Sequence, residues 1–245
     1  MHRFFAEEQN IDKHNIRLVD GDVNHIKHVL RLRVGDCIQV SDGRQYLYEC
    51  MIDSIDENEV LVSILRKQQA HTELTSKITL YQALPKGDKM EVIIQKAVEL
   101  GVYEVVPVAT KRCVVKLDER KAARKTERWN TISESAAKQS GRGIVPEVRT
   151  PITYEDALTC ASKYDHILIP YELTEGMTET KHVLSEIQAG ESIAIFIGPE
   201  GGFEHFEIDL AQAAGAKSIS LGRRILRTET AGLAILSVLM FQLES

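Results

Sequence analysis

Ser192-Ile193-Ala194-Ile195-Phe196-Ile197 runs directly into Gly198-Pro199-Glu200-Gly201-Gly202-Phe203 and from there into residues 205–214. The first stretch is apolar enough for a buried strand. The glycines and the proline turn the chain sharply, and the third stretch has helical spacing. Strand, tight turn and helix in that order form the unit of parallel sheets. The alternation extends both ways. Residues 78–84 read as a buried strand, followed by a helix in which Met90, Ile93, Ile94, Ala97 and Val98 share one face. Gly101 closes that helix. A strand at 105–109, a helix at 119–139, a strand at 165–170 and a helix at 179–188 come next. After the quoted stretch stand a short strand at 217–221 and an apolar helix at 229–243. The prediction is an α/β domain over residues 73–245 with a mainly parallel sheet.

Before residue 72 the pattern changes. Cys37-Ile38-Gln39-Val40, Tyr46-Leu47-Tyr48-Glu49-Cys50-Met51-Ile52 and Val60-Leu61-Val62-Ser63-Ile64-Leu65 are short apolar or alternating runs. Ser41-Asp42-Gly43 and Asp56-Glu57-Asn58-Glu59 divide them as turns. Several short strands in so few residues predict a small barrel over 1–72, with a helix at 24–32 ahead of them.

Composition narrows the function classes. The chain of 245 residues, 43% hydrophobic and 27% charged, has the material for a folded core. Its start lacks the apolar region of a signal peptide. The longest apolar run, 233–241, is shorter than the roughly 20 residues a membrane span needs. Cys37, Cys50, Cys113 and Cys160 form no CxxC pair and no metal-ligand spacing, so reduced thiols, a cytoplasmic location and no metal site are expected. The net charge of −6 is unevenly spread: residues 110–149 hold eleven basic residues against five acidic ones. A basic segment on an acidic protein can steer a polyanion to one face, although charge alone equally fits a solvated helix face.

In a parallel sheet, ligands gather where the strands end. Three loops follow predicted strands: Ile169-Pro170-Tyr171-Glu172, Ile197–Phe203 as quoted, and Leu221-Gly222-Arg223-Arg224-Ile225-Leu226-Arg227-Thr228-Glu229-Thr230-Ala231. The glycine loop is neither a P-loop nor GxGxxG and comes late in the chain, which argues against a nucleoside triphosphatase or a dinucleotide enzyme. Read alone, it is also an ordinary tight turn. In the third loop, Arg223, Arg224, Arg227 and Glu229 stand immediately before an apolar helix, where charges must be paired or used. Thr228 as an N-cap and Glu229 as a helix-dipole partner are the structural alternatives.

Together these motifs resemble the RsmE branch of the SPOUT methyltransferases. The resemblance runs through Arg3-Phe4-Phe5, His28-Val29-Leu30-Arg31 with Val34-Gly35-Asp36, Pro85-Lys86-Gly87-Asp88-Lys89-Met90, Glu99-Leu100-Gly101-Val102 and Gln139-Ser140-Gly141-Arg142, in order, to the two late loops. One residue departs from it: Lys138 stands where the family pattern suggests an acid. The resemblance implies a PUA-like N-terminal barrel, a SPOUT domain with a trefoil knot, a homodimer, and methylation of N3 of a uridine in the decoding region of 16S ribosomal RNA.

It further implies an S-adenosylmethionine site built from Pro170, Tyr171 and Glu172, from Ile197, Gly198, Pro199, Glu200, Gly201 and Gly202, and from Leu221, Gly222, Ile225, Leu226, Arg227, Thr230 and Ala231. Glu229 is the candidate base and Arg227 the candidate cation for the uridine, unless the two pair with each other. Arg3, His28, Arg31, Lys86, Lys89, Arg112 and Arg142 are the expected RNA contacts, and Phe203, Phe4 or Phe5 the candidate stacking platforms, with core packing the stronger reading of Phe4 and Phe5. Two other readings stay open: ribose 2′-O-methylation on the same fold, and a non-enzymatic ribosome-binding or assembly factor.

Overall fold

The structure is a computed structural model and describes residues 1–171 and 176–244. It divides into two compact units, Met1–Glu73 with Ala137–Val145, and Leu74–Ala136 with Pro146–Ser245.

In the first unit, β1 (Arg3–Phe5) and β2 (Asn15–Val19) precede α1 (Gly21–Asn24), which runs on as a π-helical turn, His25–Leu30. Next come β3 (Cys37–Ser41), β4 (Tyr46–Ile55) and β5 (Glu59–Gln69). The sheet order is β1-β3-β4-β5-β2. β1 lies parallel to β3, with Phe4 opposite Val40, and the other pairs are antiparallel. Register shifts at Glu49/Cys50 and Ile52/Ser54 bend the long β4–β5 ribbon. The sheet thereby curls around Phe4, Ile16, Leu18, Ile26, Ile38, Val40, Ile52, Val60 and Val62. Phe4 is fully buried there, so it is core and not a stacking platform.

Polar contacts draw residues 137–145 into this unit. Arg142 is 4% exposed and grips the Glu73 carboxylate through Nε and Nη2, and the Gly143 N–H donates to the same carboxylate at 2.7 Å. Ser41 Oγ donates to the Gly143 carbonyl at 2.6 Å, and Arg3 donates to the Gly141 and Arg142 carbonyls. The unexpected Lys138 pairs with Asp22 at 2.6 Å.

The second unit is the predicted α/β domain. Its elements are β6 (Ile78–Ala83), α2 (Lys89–Glu99), β7 (Glu104–Ala109), α3 (Glu119–Ser140, whose last residues belong to the first unit), β8 (Glu147–Val148), β9 (Ile152–Thr153), α4 (Tyr154–Ala161), β10 (His166–Pro170), α5 (Met177–Ser185), β11 (Ile193–Ile197), α6 (His205–Ala213), β12 (Lys217–Ile219) and α7 (Thr228–Leu243). The strands run parallel in the order β12-β10-β11-β6-β7-β8, with β9 also on β7. Every residue of β6 and β11 is buried, as expected for strands covered on both faces. Because β10, β11 and β12 are parallel neighbours across the sheet, their following loops emerge at one edge.

Candidate functional site

The loop after β11 is a turn closed on itself. A Cβ on Gly198 would stand 3.2 Å from the Phe203 ring and 3.3 Å from the Gly202 carbonyl carbon. Gly202 adopts φ +67°, and its N–H donates to the Pro199 carbonyl at 2.9 Å. Phe203 is buried, with its ring 5.7 Å from that of Tyr154. It packs in the core and only borders the cleft described below, so it offers no exposed platform for a base.

Neighbouring elements brace the loop from outside. Lys89, in the first turn of α2, pairs with Glu200 at 2.8 Å, and the Lys86 N–H donates to the same oxygen at 3.1 Å. Arg112 donates to the Gly201 carbonyl at 2.6 Å and pairs with Glu204 at 3.0 Å. The buried Glu207 carboxylate accepts from the Glu204 and Lys111 N–H groups, which caps α6 and ties it to the segment after β7. Partial burial opposes ionisation of Glu200, but the Lys89 ammonium and the backbone donors outweigh it and hold the carboxyl below its ordinary value. The hydrogen bond to Glu200 is the main reason the Lys89 ammonium is held above its own.

The loop after β12 turns at Gly222, φ +106°, and leads into α7. Arg227 is the N-cap residue of α7 without a side-chain cap. Thr228 does not cap the helix either; its hydroxyl donates to the Gly198 carbonyl at 2.6 Å and so joins this loop to the glycine loop. Arg227 and Glu229 are not paired with each other. Glu229 Oε2 is buried without a hydrogen-bond partner and stands 3.6 Å from Lys89 Nζ. Among the described residues, Arg223, Arg224 and Arg227 are exposed and in no ion pair.

After β10, the Tyr171 N–H donates to the Ile219 carbonyl, and its hydroxyl meets His205 Nδ1 at 3.0 Å. Glu172 lies outside the described residues.

These loops enclose a cleft of about 370 Å³. Pro170 and Tyr171 form one side; Ile197, Gly198, Pro199, Glu200 and Gly202 another; Leu221, Gly222, Ile225, Leu226, Arg227 and Ala231 the third. Of the described residues expected to bind a cofactor, Gly201 and Thr230 lie off the wall. Lys89, Phe203, Ser220, Arg224 and Thr228 line it although they were not expected as cofactor contacts. The wall is apolar at Ile197, Leu221, Ile225 and Leu226, with charges gathered at Lys89, Glu200, Arg224 and Arg227. Such a mixture suits a ligand with one flat apolar end and one charged end.

The expected RNA contacts separate into two groups. Arg142 is buried on Glu73, and Arg3 serves Gly141, Arg142 and Gln39. Lys89 and Arg112 are engaged with the glycine loop. All four cations thus have partners within the chain; Arg142 is buried on its partner, whereas Arg112 stays exposed and Lys89 half-buried. His28, Arg31 and Lys86 are exposed. No helix among the described residues is long and apolar enough to cross a membrane.

Comparison with known proteins gives consistent matches. Residues 72–240 match the RNA methyltransferase domain family, and residues 11–65 the RNA methyltransferase PUA domain family. The chain is 35% identical to ribosomal RNA small subunit methyltransferase E of Bacillus subtilis (strain 168), over 100% of this chain and 98% of that protein. Among solved structures it is similar to ribosomal RNA small subunit methyltransferase E from Neisseria gonorrhoeae bound to S-adenosyl methionine, with a TM-score of 0.86, 34% identity, and coverage of 99% of this chain and 98% of that one. It is also similar to a Legionella pneumophila methyltransferase in complex with the cofactor SAM, with a TM-score of 0.87, 33% identity, and coverage of 98% and 97%.

Proposed function

The chain belongs to the ribosomal RNA small subunit methyltransferase E family, and on that premise we propose that it methylates N3 of a uridine in the decoding region of 16S ribosomal RNA, using S-adenosylmethionine. One observation carries the reading: a cleft at the strand ends combines an apolar wall with the exposed guanidinium of Arg227, and next to Lys89 of that wall stands Glu229, its Oε2 3.6 Å from the ammonium.

The cleft fits the cofactor. Leu221, Ile225 and Leu226 offer an apolar slot for an adenine. Gly198 and Gly202 leave the wall without side chains where the ribose and amino-acid portion would pass, and Pro170 and Tyr171 close the third side. When bound, S-adenosylmethionine would supply an electrophilic methyl group, which passes in line to the nitrogen as the carbon–sulfur bond breaks and the neutral thioether leaves. The residues of the chain must align that nitrogen and deal with its proton. Uridine N3 holds the proton well above neutral pH, and each unit by which the site lowers its pKa is worth about 1.4 kcal/mol. Glu229 is the proposed base: it follows the cleft residues Arg227 and Thr228 in the chain, and its Oε2 makes no hydrogen bond and stands 3.6 Å from the Lys89 ammonium. Arg227 is the proposed cation for the anion developing on the uracil oxygens. His28, Arg31 and Lys86, all exposed, are the proposed phosphate contacts. The enzyme works in the cytoplasm as a homodimer, with its chain knotted around the cofactor loops. The apolar outer face of α7, with Phe241 85% exposed, supports the dimer.

The deciding experiment offers naked 16S RNA and small subunits from a strain lacking the modification to the enzyme with methyl-labelled S-adenosylmethionine, then identifies the labelled nucleoside. The expected product is 3-methyluridine. A 2′-O-methylated nucleoside would reassign the reaction to the ribose, and no label on either substrate would leave a non-enzymatic ribosome-binding role.

A further inference from the structure

Gln82 is the one amide in the wholly buried strand β6, and it is 0% exposed. A buried amide is costly unless its hydrogen bonds are met. Its Nε2 donates to the Ala83 carbonyl at 3.1 Å and to Thr228 Oγ1 at 2.9 Å, while Thr228 Oγ1 donates to the Gly198 carbonyl at 2.6 Å. The direction of this string is determined. Turning the amide over would set its oxygen against the Ala83 carbonyl, so nitrogen faces Thr228. The Thr228 hydroxyl therefore accepts from Gln82 and keeps its single proton for Gly198. Gln82 Oε1 is left buried and without a hydrogen-bond partner. One turn along α7 from Thr228, a Cβ on Gly232 would meet Gln82 Oε1 and Ile197 Cγ1, each at 3.6 Å. The helix therefore packs its backbone closely against β6 and β11 at this point.

Gln82 does not line the cleft, whereas Thr228 and Gly198 do. The string thus ties the sheet to both loops that face each other across the cleft, at the root of each. We propose that Gln82 and Thr228 are positioning residues that fix the separation of the 198–203 and 221–231 loops, and that cofactor affinity depends on this string as a unit. The proposal rests on the cleft's reading as the S-adenosylmethionine site.

Thr228→Val keeps the shape and removes the hydroxyl; Gln82→Met keeps the length and removes the amide. Each should weaken S-adenosylmethionine binding in calorimetry by about tenfold, the scale set by one lost buried hydrogen bond with its partner stranded. Because the string acts as a unit, the double variant should bind no more weakly than either single one, and Thr228→Ser should restore affinity to near wild type. A merely structural role would lower the melting temperature and leave the affinity of the folded variants unchanged. Unchanged affinity, or losses that add in the double variant, would overturn the proposal. If Thr228→Val fails to fold, Gln82→Met and Thr228→Ser still decide it: the first must lose affinity and the second must keep it. Failure of the wild-type protein itself to bind S-adenosylmethionine would overturn the cofactor reading as well, which sets that failure apart from a failure of the string alone.

Discussion

Lys89 shows how a single residue changes meaning between sequence and site. A lysine before a helix on an RNA-binding protein looks like a phosphate contact, yet its ammonium lies between Glu200 and Glu229 in the cleft wall. Its effect on stability has a defined pH window. Glu200 is held below its ordinary value of 4.5, so its share of the pair is complete above 4.5 and disappears as pH falls through the lower folded value. Lys89 is held above its ordinary 10.5, so its share is complete below 10.5 and is lost as pH rises through the raised value. Urea unfolding of wild type and Lys89→Met should therefore differ by a constant amount between these limits and converge in acid. A difference that persists unchanged well below 4.5 would remove Glu200 as the partner that matters. Glu229 carries a separate prediction. Replaced by glutamine, it keeps its shape and loses its basicity, so single-turnover methyl transfer should fall about a hundredfold, the lower range for a general base. Calorimetric affinity for the cofactor should stay near wild type, and an undiminished rate would exclude Glu229 as the base.

At the scale of elements, what could be read from the sequence follows from what local pattern can encode. The strands β6, β7, β10 and β11 were legible because each is a run of buried residues, and α2 because one face repeats at helical spacing. β1 and β2 were missed because they are short and bury one and two side chains respectively, too few to set a period. The helix α4 was missed although a signal existed: Thr153 accepts from the Asp156 N–H at 3.1 Å, an N-cap visible as Thr-Tyr-Glu-Asp. The π-helical turn at His25–Leu30 has no distinguishing pattern among apolar and basic residues. In the site, the three loops were legible from their glycines and strand ends, while the partners of their charges were not. Glu200 and Lys89 are 111 positions apart, and Arg142 and Glu73 are 69 apart. Arg142 makes that difference measurable. Removing it strands a largely buried carboxylate, so Arg142→Ala should cost about 3 kcal/mol of unfolding free energy, the low end for a broken buried pair because Glu73 keeps some solvent contact. The salt dependence of RNA binding should not change. Arg31→Ala should do the reverse, sparing stability and lowering the slope of log affinity against log salt by about 0.7, one phosphate's share for single-stranded RNA.

The whole molecule must reconcile a net charge of −6 with an RNA substrate, and an apolar helix with solvent. The first is a matter of distribution, since much of the basic surplus lies within residues 110–149. The second points to assembly. Gly232, Ile235, Leu236, Leu239 and Leu243 of α7 face inward, yet Val238 and Phe241 on its other side are 47% and 85% exposed. A helix apolar all round is normally buried all round, and an exposed apolar patch that persists is usually an interface. Ile225, also 85% exposed, stands on the cleft wall. If a second copy covers this face as well, dimer formation and cofactor binding should support each other. The chain should sediment at twice its 27.5 kDa. Phe241→Lys, which places a charge on that face without disturbing the inward residues, should yield a folded monomer with weaker cofactor binding. A wild-type monomer would exclude the dimer. A Phe241→Lys monomer that binds cofactor as tightly as the parent would show that the cleft is complete within one chain.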